Sequence, residues 1–385
     1  MLSHPRIRSA LIQILLLAVL AVTAWYIYQT TRTNIIQQRI ATGFDFFWVE
    51  AGFSINQALI PYSEASNYFR AFLVGLLNTL LVSALGLVFA TAVSFGAGIG
   101  RLSSTWVVAQ VCGTYVEVVR NLPLLFQIVF WYLVMIAVLP APRESVSVFG
   151  EAFINRRGFF FPKPIFSEGA GPFLRAVLAA LFVAWALGYF ARRQRVATGR
   201  SATVWPLQML ALIGIPLAAW LALGMTVSVE HPVLKGMNFT GGLQLIPEFV
   251  ALLFALSTYT AAFIAEIVRA GILAVRRGQS EAALALGLSR RQSLRLVVVP
   301  QALRVIVPPL TSQYLNLIKN SSLAVAIGYP DLVSVFAGTT LTNRGQAIEI
   351  IAITMLVYLA ISLIVSFAMN LYNRRIALTG QGARA

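Results

Sequence analysis

The stretch Gly278–Leu310, GQSEAALALGLSRRQSLRLVVVPQALRVIVPPL, decides how the rest of the chain is read. It is a short amphipathic interruption between two long apolar segments. Ser280 can N-cap a helix, with Glu281 in the first turn beside the partly positive helix end. Ala282, Ala283, Leu284, Ala285 and Leu286 propagate it, and Gly287 supplies a left-handed stop. Ser289-Arg290-Arg291-Gln292 has the spacing of a capping box that starts a second helix. The sequence therefore predicts a helix, a glycine corner and another helix, with small alanines on one surface and arginines on the other. Small residues let another protein approach closely; arginines hold the segment at the polar side of a membrane.

Outward from this stretch the chain is apolar. Of its 385 residues 58% are hydrophobic and only 11% charged, at a mean hydropathy of +0.80. Soluble domains carry about a quarter charged residues. Runs near the length of a bilayer crossing recur at Leu11–Tyr28, Phe72–Ile99, Trp106–Leu139, Phe173–Phe190, Trp205–Met225, Ile246–Val275, Val305–Ile327 and Gln346–Tyr372. Eight spans are expected. The first follows a basic start and competes with a cleaved signal peptide, but it is long and ends in Trp25, Tyr26 and Tyr28 without a persuasive cleavage site. Trp106–Leu139 is too long for one straight helix and is expected to break at Arg120-Asn121-Leu122-Pro123, inside the protein where polar backbone finds partners. Gly75, Gly86, Gly96, Gly98 and Gly100 should let helices pack closely against the second span. Thr30–Arg70 and Pro140–Gly171 read as polar extramembrane loops.

The net charge of +16 points first to nucleic acid, and its distribution points away. With the N-terminus in the cytoplasm, the inner segments hold 16 Lys and Arg and one acidic residue, Glu281. The outer loops take most of the carboxylates, including Asp45, Glu50, Glu64, Glu144, Glu151, Glu168, Glu230 and Asp331. Both termini are thus expected inside, with anionic headgroups rather than nucleic acid as the partner of the excess charge. The single Cys112 permits no internal disulfide and reads as a small buried residue.

Catalytic chemistry is not supported. The two histidines, His4 and His231, lie in flanking or loop positions, so no metal cluster or histidine triad forms. None of Lys163, Lys235 and Lys319 follows a glycine, so a phosphate-binding Gly-Lys-Ser/Thr loop is missing and the chain cannot bind ATP through that motif. Ionisable residues within apolar spans are functional suspects because charge at membrane depth is costly. Glu266 and Arg269, three apart, can pair along one helix face, as can Glu117 and Arg120. Ser312, Asn316, Lys319 and Asn320 form a polar stripe with Ser321 and Ser322 adjacent. Such a stripe serves either interhelix hydrogen bonding or a solute pathway. A cation and amides are what a solute's carboxylate would need.

The spacing of Glu281-Ala282-Ala283, Gly287, Val297 and Val299-Pro300 resembles the cytoplasmic coupling loop of ABC-importer permeases. AEIVRAGILAV (265–275), GQSEAALALG (278–287), PQALRVIVPPL (300–310), KNSSLAVAIG (319–328) and YVEVVRNLPLLFQ (115–127) are similar to the polar amino-acid uptake subfamily, in its order. The resemblance covers roughly 68–104, 105–139 and 247–375. It implies an all-α integral membrane protein of about eight spans with a type I importer-like core. It also implies an importer subunit for polar L-amino acids, without a cofactor of its own. The partners would be a dimer of ATP-binding subunits carrying ATP-Mg, a second permease (a paralogue in preference to a second copy) and a periplasmic binding protein. Glu281, Ala282, Ala283, Gly287, Arg290 and Arg291 would couple to the ATPase. Asn316, Lys319, Asn320 and Ser321, with Glu266 and Arg269, would line the substrate path. The subfamily usually has about five spans. Here residues 1–67 add a span and an outer loop, and 140–245 insert two spans between core parts 68–139 and 246–375, before a tail at 376–385. Two inserted spans leave the core's sidedness undisturbed. Larger permeases of this kind resemble those of broad-range or acidic/amide systems in Gram-negative bacteria. The competing class is a stand-alone ion-coupled carrier or channel with buried Glu, Arg and Lys as coupling groups. Such a carrier has no use for an alanine-faced hairpin displayed to the cytoplasm. A membrane enzyme ranks third.

Overall fold

The computed structural model describes residues 5–37, 41–166, 170–198, 203–224 and 227–378. The expectations placed on His4, Glu168, Ser201, Met225 and Gly380 fall outside them. The described chain is mostly helical. Helix α1 (Pro5–Gln37) has its membrane-length window wholly unburied. Helix α2 (Tyr68–Gly100) starts where the Asn67 side chain accepts the Arg70 N–H, and it runs through the centre of the core. Helices α3 (Trp106–Asn121) and α4 (Leu124–Val138) meet at Pro123 with a bend of 107°. The break is capped from within: Gln127 Nε2 donates to the freed carbonyls of Val119 and Leu122, both at 3.0 Å. Seven described helices are long and apolar enough to cross a membrane, and the bent pair makes an eighth if its arms cross together.

Helix α7 (Pro247–Leu273) leads into α8 (Arg277–Ala285) and α9 (Arg290–Ser293). From α9 the chain stays helical without a gap. A π turn at Leu294–Val298 passes into α10 (Val299–Asn320), which continues as a 3-10 turn at Ser321–Ile327. A second π turn (Val333–Thr340), α11 (Leu341–Arg344) and α12 (Ala347–Leu378) complete the core unit, made of the described residues up to 133 and from 248 to 378.

Glycine decides how near α2 comes to its neighbours. A Cβ at Gly98 would stand 2.7 Å from the Ala265 carbonyl oxygen and 2.8 Å from Val268 Cβ of α7; one at Gly86 would meet Leu317 of α10 at 3.3 Å. Cys112 is half-buried and packs its sulfur against Gly100 rather than being enclosed. The polar stretch 41–67 does more than connect. Its 3-10 turn Asp45–Trp48 inserts Phe46, 3% exposed, into a cluster with Ala51, Tyr68, Ala71, Leu332, Val335, Phe336 and Ile350. Phe46 and Phe47 stack on Phe336, and the Gly43 N–H donates to Glu349 of α12 at 2.7 Å. The stretch is therefore strapped to the core by aromatic packing.

Residues 134–247 form a second unit. Strands β1 (Val146–Val148), β2 (Ala152–Asn155), β3 (Gly158–Phe161) and β8 (Leu243–Leu245) build one antiparallel sheet, with Val146 opposite Ile154, Phe153 opposite Phe160 and Phe160 opposite Gln244. Strands β4 (Lys163–Phe166) and β5 (Val227–Glu230) pair as a ribbon, as do β6 (Val233–Lys235) and β7 (Asn238–Thr240). The second unit's aromatic core is Phe153, Phe160 and Phe239. Helices α5 (Ala170–Thr198) and α6 (Trp205–Ala222) pair as a hairpin, pinned where Gln208 Nε2 donates to the Ala184 carbonyl at 3.0 Å. The expected all-α class thus holds for the spans, while this unit adds eight short strands.

Candidate functional site

The corner after α8 is built by its sequence. Gly287 takes φ +81°, its N–H donates to the Leu284 carbonyl at 2.9 Å, and the Leu288 N–H donates to the Ala283 carbonyl at 3.2 Å. That is a complete Schellman closure, which satisfies the last carbonyls of the helix. Across the corner the Ser289 hydroxyl accepts the Gln292 N–H while Gln292 accepts the Ser289 N–H, the expected capping box. The start of α8 differs from expectation. Only three residues separate it from α7, so the chain must re-enter a helix at once, and Arg276 rather than Ser280 occupies the N-cap position. Ser280 lies inside the helix.

Glu281, Ala282, Gly287, Arg290 and Arg291 are exposed. Ala283 is not: at 3% exposure it packs inward, so it fixes the helix to its own chain. Gln301 of α10 donates to Gln279 of α8 at 3.1 Å and adds a second tether. Leu286, 83% exposed at the corner, is a surface residue that the helical pattern alone did not single out. α8 and its C-cap therefore present a glutamate carboxylate, a small residue and an unburied leucine, rimmed by Arg276, Arg277, Arg290 and Arg291. Such a surface suits a partner's groove.

The intramembrane charges fall into separate places. Glu266 of α7 accepts from Arg269 Nη2 at 2.6 Å, as the i, i+3 spacing predicts, and from Arg101 at the end of α2. Arg101 was not anticipated, because nothing in sequence spacing links it to Glu266. The triad ties α2 to α7. Arg120 does not pair with Glu117; its guanidinium lies 5.1 Å from the Phe263 ring centroid. Ile264 and Val268 of α7 pack with Ala302 and Ile306 of α10, whereas Lys319 is a further ~20 Å along α10 at 1.5 Å per residue. The structure thus brings Glu266 and Arg269 to Arg101, not to Lys319.

Lys319 and Asn316 are exposed on α10, Asn320 is half-buried, and Ser321 is buried with its hydroxyl donating to the Ile318 carbonyl at 2.7 Å. Lys319 lines a cavity of about 430 Å³ together with Ser322, Thr354, Tyr358 and Ser362, and with the apolar Val333, Met355 and Leu359. The Ser322 and Thr354 hydroxyls donate to the Lys319 and Ile350 carbonyls, so the ammonium group in a mostly apolar lining is what suits a small solute with a carboxylate and a variable side chain. Thr354, Tyr358 and Ser362 come from α12, where they stand four apart; that spacing was the available signal in a segment read only as a span.

The binding-protein-dependent transport system inner membrane component family matches residues 90–378. The chain is 50% identical, over 98% of its own length and 96% of the relative's, to YhdX of Escherichia coli, named an amino-acid ABC transporter permease protein. It is 49% identical over 97% of its length, and 93% of the relative's, to AapQ of Rhizobium johnstonii, a general L-amino acid transport system permease protein. Against BztB of Rhodobacter capsulatus, a glutamate/glutamine/aspartate/asparagine transport system permease protein, it is 41% identical over 97% and 94% of the two chains. With three quarters of its length inside the family match and end-to-end relatives beyond it, the chain belongs to the inner-membrane permeases of binding-protein-dependent ABC transport systems, the transport subunit and not the ATPase.

Proposed function

We propose that the chain is the translocation subunit of an ATP-driven importer of polar L-amino acids. It works with a soluble binding protein outside, two ATP-binding subunits carrying ATP-Mg inside, and a second permease that is a paralogue rather than a copy. The observation that carries this reading is the exposed, Schellman-closed α8 in a chain matched end to end by permeases named for amino-acid transport. ATP-driven closure of the motor subunits would move α8, and the spans would rock between outward and inward openings. A stand-alone carrier leaves α8 without a role.

The Lys319 cavity is the proposed amino-acid route, with Asn316 and Asn320 along the same helix. Glu266 and Arg269 are reassigned to holding α7 against α2, because Arg101 completes their ion pair. The test is uptake of individual labelled amino acids by the reconstituted complex with and without Lys319→Met. Removing the cation is expected to lower uptake about tenfold, the worth of one charge-assisted contact to a carboxylate, with the ATPase still bound. Undiminished uptake, or failure to assemble, removes the support for this route.

Sidedness is checked separately. In a background lacking Cys112, cysteines at Ser63, Ser147 and Thr342, all exposed, should react with an impermeant reagent from outside. Those at Ser201 and Gly380 should react only from inside. Labelling at Ser201 from outside would overturn the two-span reading of the insertion.

A further inference from the structure

Asp331 has no place in the roles assigned above, yet its side chain is fully buried. It precedes the π turn Val333–Thr340, and its Oδ1 accepts the Ser334 N–H at 2.8 Å. Its Oδ2 faces the Tyr358 hydroxyl of α12 at 3.4 Å. The nearby hydroxyls of Ser321 and Thr79 donate to the Ile318 and Gly75 carbonyls at 2.7 and 3.0 Å. The backbone beside Asp331 is fixed on both sides. The Leu332 N–H donates to Thr79 Oγ1 at 2.9 Å, Asn78 Nδ2 donates to the Pro330 carbonyl at 2.9 Å, and Gly75 lets α2 come near the carbonyl of Asp331 itself.

No cation offsets the carboxylate among the described residues; both ion pairs there belong to Glu266. The titratable groups facing it are Tyr329 and Tyr358. Asp45 on the strap is exposed, Glu349 accepts the Gly43 N–H, and Arg344 lies over Tyr68. Burial therefore pushes Asp331 up to about 7, against the opposing pull of the Ser334 and Val333 N–H groups and of Tyr358.

Tyr358 belongs to two places at once, since it also lines the Lys319 cavity. We infer that Asp331 is a positioning residue for translocation, whose carboxylate holds Tyr358 and with it one wall of the Lys319 cavity. The inference rests on reading that cavity as the amino-acid route. At 3.4 Å the contact is longer than an ordinary O–H···O bond, so the charge on Asp331 decides whether it tightens or lets go. The ionised carboxylate draws in the Tyr358 O–H as a charge-assisted bond. With a proton on Asp331 the acceptor weakens, and the Tyr358 hydroxyl is released. A merely structural Asp331 would only cap the Ser334 N–H, which an asparagine oxygen does equally well.

The experiment uses the full complex in proteoliposomes, with labelled L-glutamine, whose groups do not titrate near neutrality. The wild-type KM is expected to rise about three- to tenfold, the worth of one hydrogen bond, as pH falls through about 7, with a smaller change in maximal rate. Asp331→Asn should show the raised KM at every pH with a flat profile, Tyr358→Phe the same, and the double variant no more than either. Asp331→Glu should restore a pH-dependent KM. Infrared spectroscopy of the wild-type complex should show a protonated carboxyl band titrating near 7, absent from Asp331→Asn. A wild-type KM that does not vary with pH overturns the inference, as does an unaltered pH profile in Asp331→Asn or Tyr358→Phe, or the absence of that band. If Lys319→Met leaves uptake intact, it is the cavity reading that fails. If Lys319→Met abolishes uptake while Asp331→Asn keeps the wild-type profile, this inference alone falls.

Discussion

Replacing Gly287 with valine is expected to cut uptake, and the stimulation of ATP hydrolysis by loaded binding protein, by about tenfold or more. A side chain in left-handed geometry costs roughly 1–2 kcal/mol, and a β-branched one more. Gly287 sits at φ +81°, so valine must either carry that strain or open the Schellman closure and re-aim the corner. An ideal Cβ there meets no atom of its own chain within 4 Å, which leaves the added bulk pointing at whatever docks. Gly287→Asn, which tolerates the left-handed region, should keep most of the coupling. Glu281→Arg should damage the same link through charge, since Arg276, Arg277, Arg290 and Arg291 already rim the surface. In each variant the permease should insert normally, and the external protein should bind its amino acid as before. The readouts are ATPase pull-down and stimulated hydrolysis. Full stimulation and full uptake in both Gly287→Val and Glu281→Arg would place the coupling surface elsewhere.

The second large effect is expected at Gly98. Leucine there would drive a Cβ to 2.7 Å from the Ala265 carbonyl oxygen, and main chain cannot rotate out of the way. Overpacking of this kind costs about 1–3 kcal/mol, and this contact belongs at the upper end because α2 and α7 must part as rigid bodies. Three residues on, Arg101 would be pulled from Glu266, so the ion triad fails with the packing. The expected result is loss of the monodisperse complex in detergent and a melting temperature several degrees lower. Gly96 supplies an internal control on the same helix: its Cβ position is open, so Gly96→Leu should leave the complex intact. Equal behaviour of the two variants would show that α2 and α7 are not in main-chain contact.

These two glycines show where the sequence was informative. Gly287 and the Ser289–Gln292 capping box are local devices, closed within a few residues, and both form as their spacing requires. The break at Pro123 was equally readable, since proline removes a donor wherever it falls. Which glycines of α2 admit a neighbour was not readable. Gly96 and Gly98 look alike in sequence and differ only in what another helix brings to them. The same limit hid Arg101 from Glu266, and it made Ala283 look like a surface residue when the fold turns it inward. Strands β1–β8 were missed for a different reason. Each is three or four residues long, too short for an alternating pattern to rise above the Pro- and Phe-rich background. Phe46 lay in a stretch polar on average, and one aromatic residue inserted into a core leaves no trace in an average. Asp331 was one of many outer carboxylates until its burial set it apart.

The unbroken helical path from Arg290 to Ile327 has a mechanical consequence. One end adjoins the α8 corner and the other carries Lys319. Its soft joints are the π turn at Leu294–Val298, beside the α8 corner, and Pro308 with Pro309 midway along, which leave the carbonyls of Arg304 and Val305 without their usual donors. From Pro309 to Asn320 the helix runs on without a further proline. Were a partner to push α8, such a member would act as a crank, turning a sideways push at its foot into rotation at its head. Twisting α10 by even part of a turn would sweep Lys319 around the helix circumference while moving it little along the membrane normal. Opening on one side and closing on the other would then require torsion of a single shaft rather than a piston stroke.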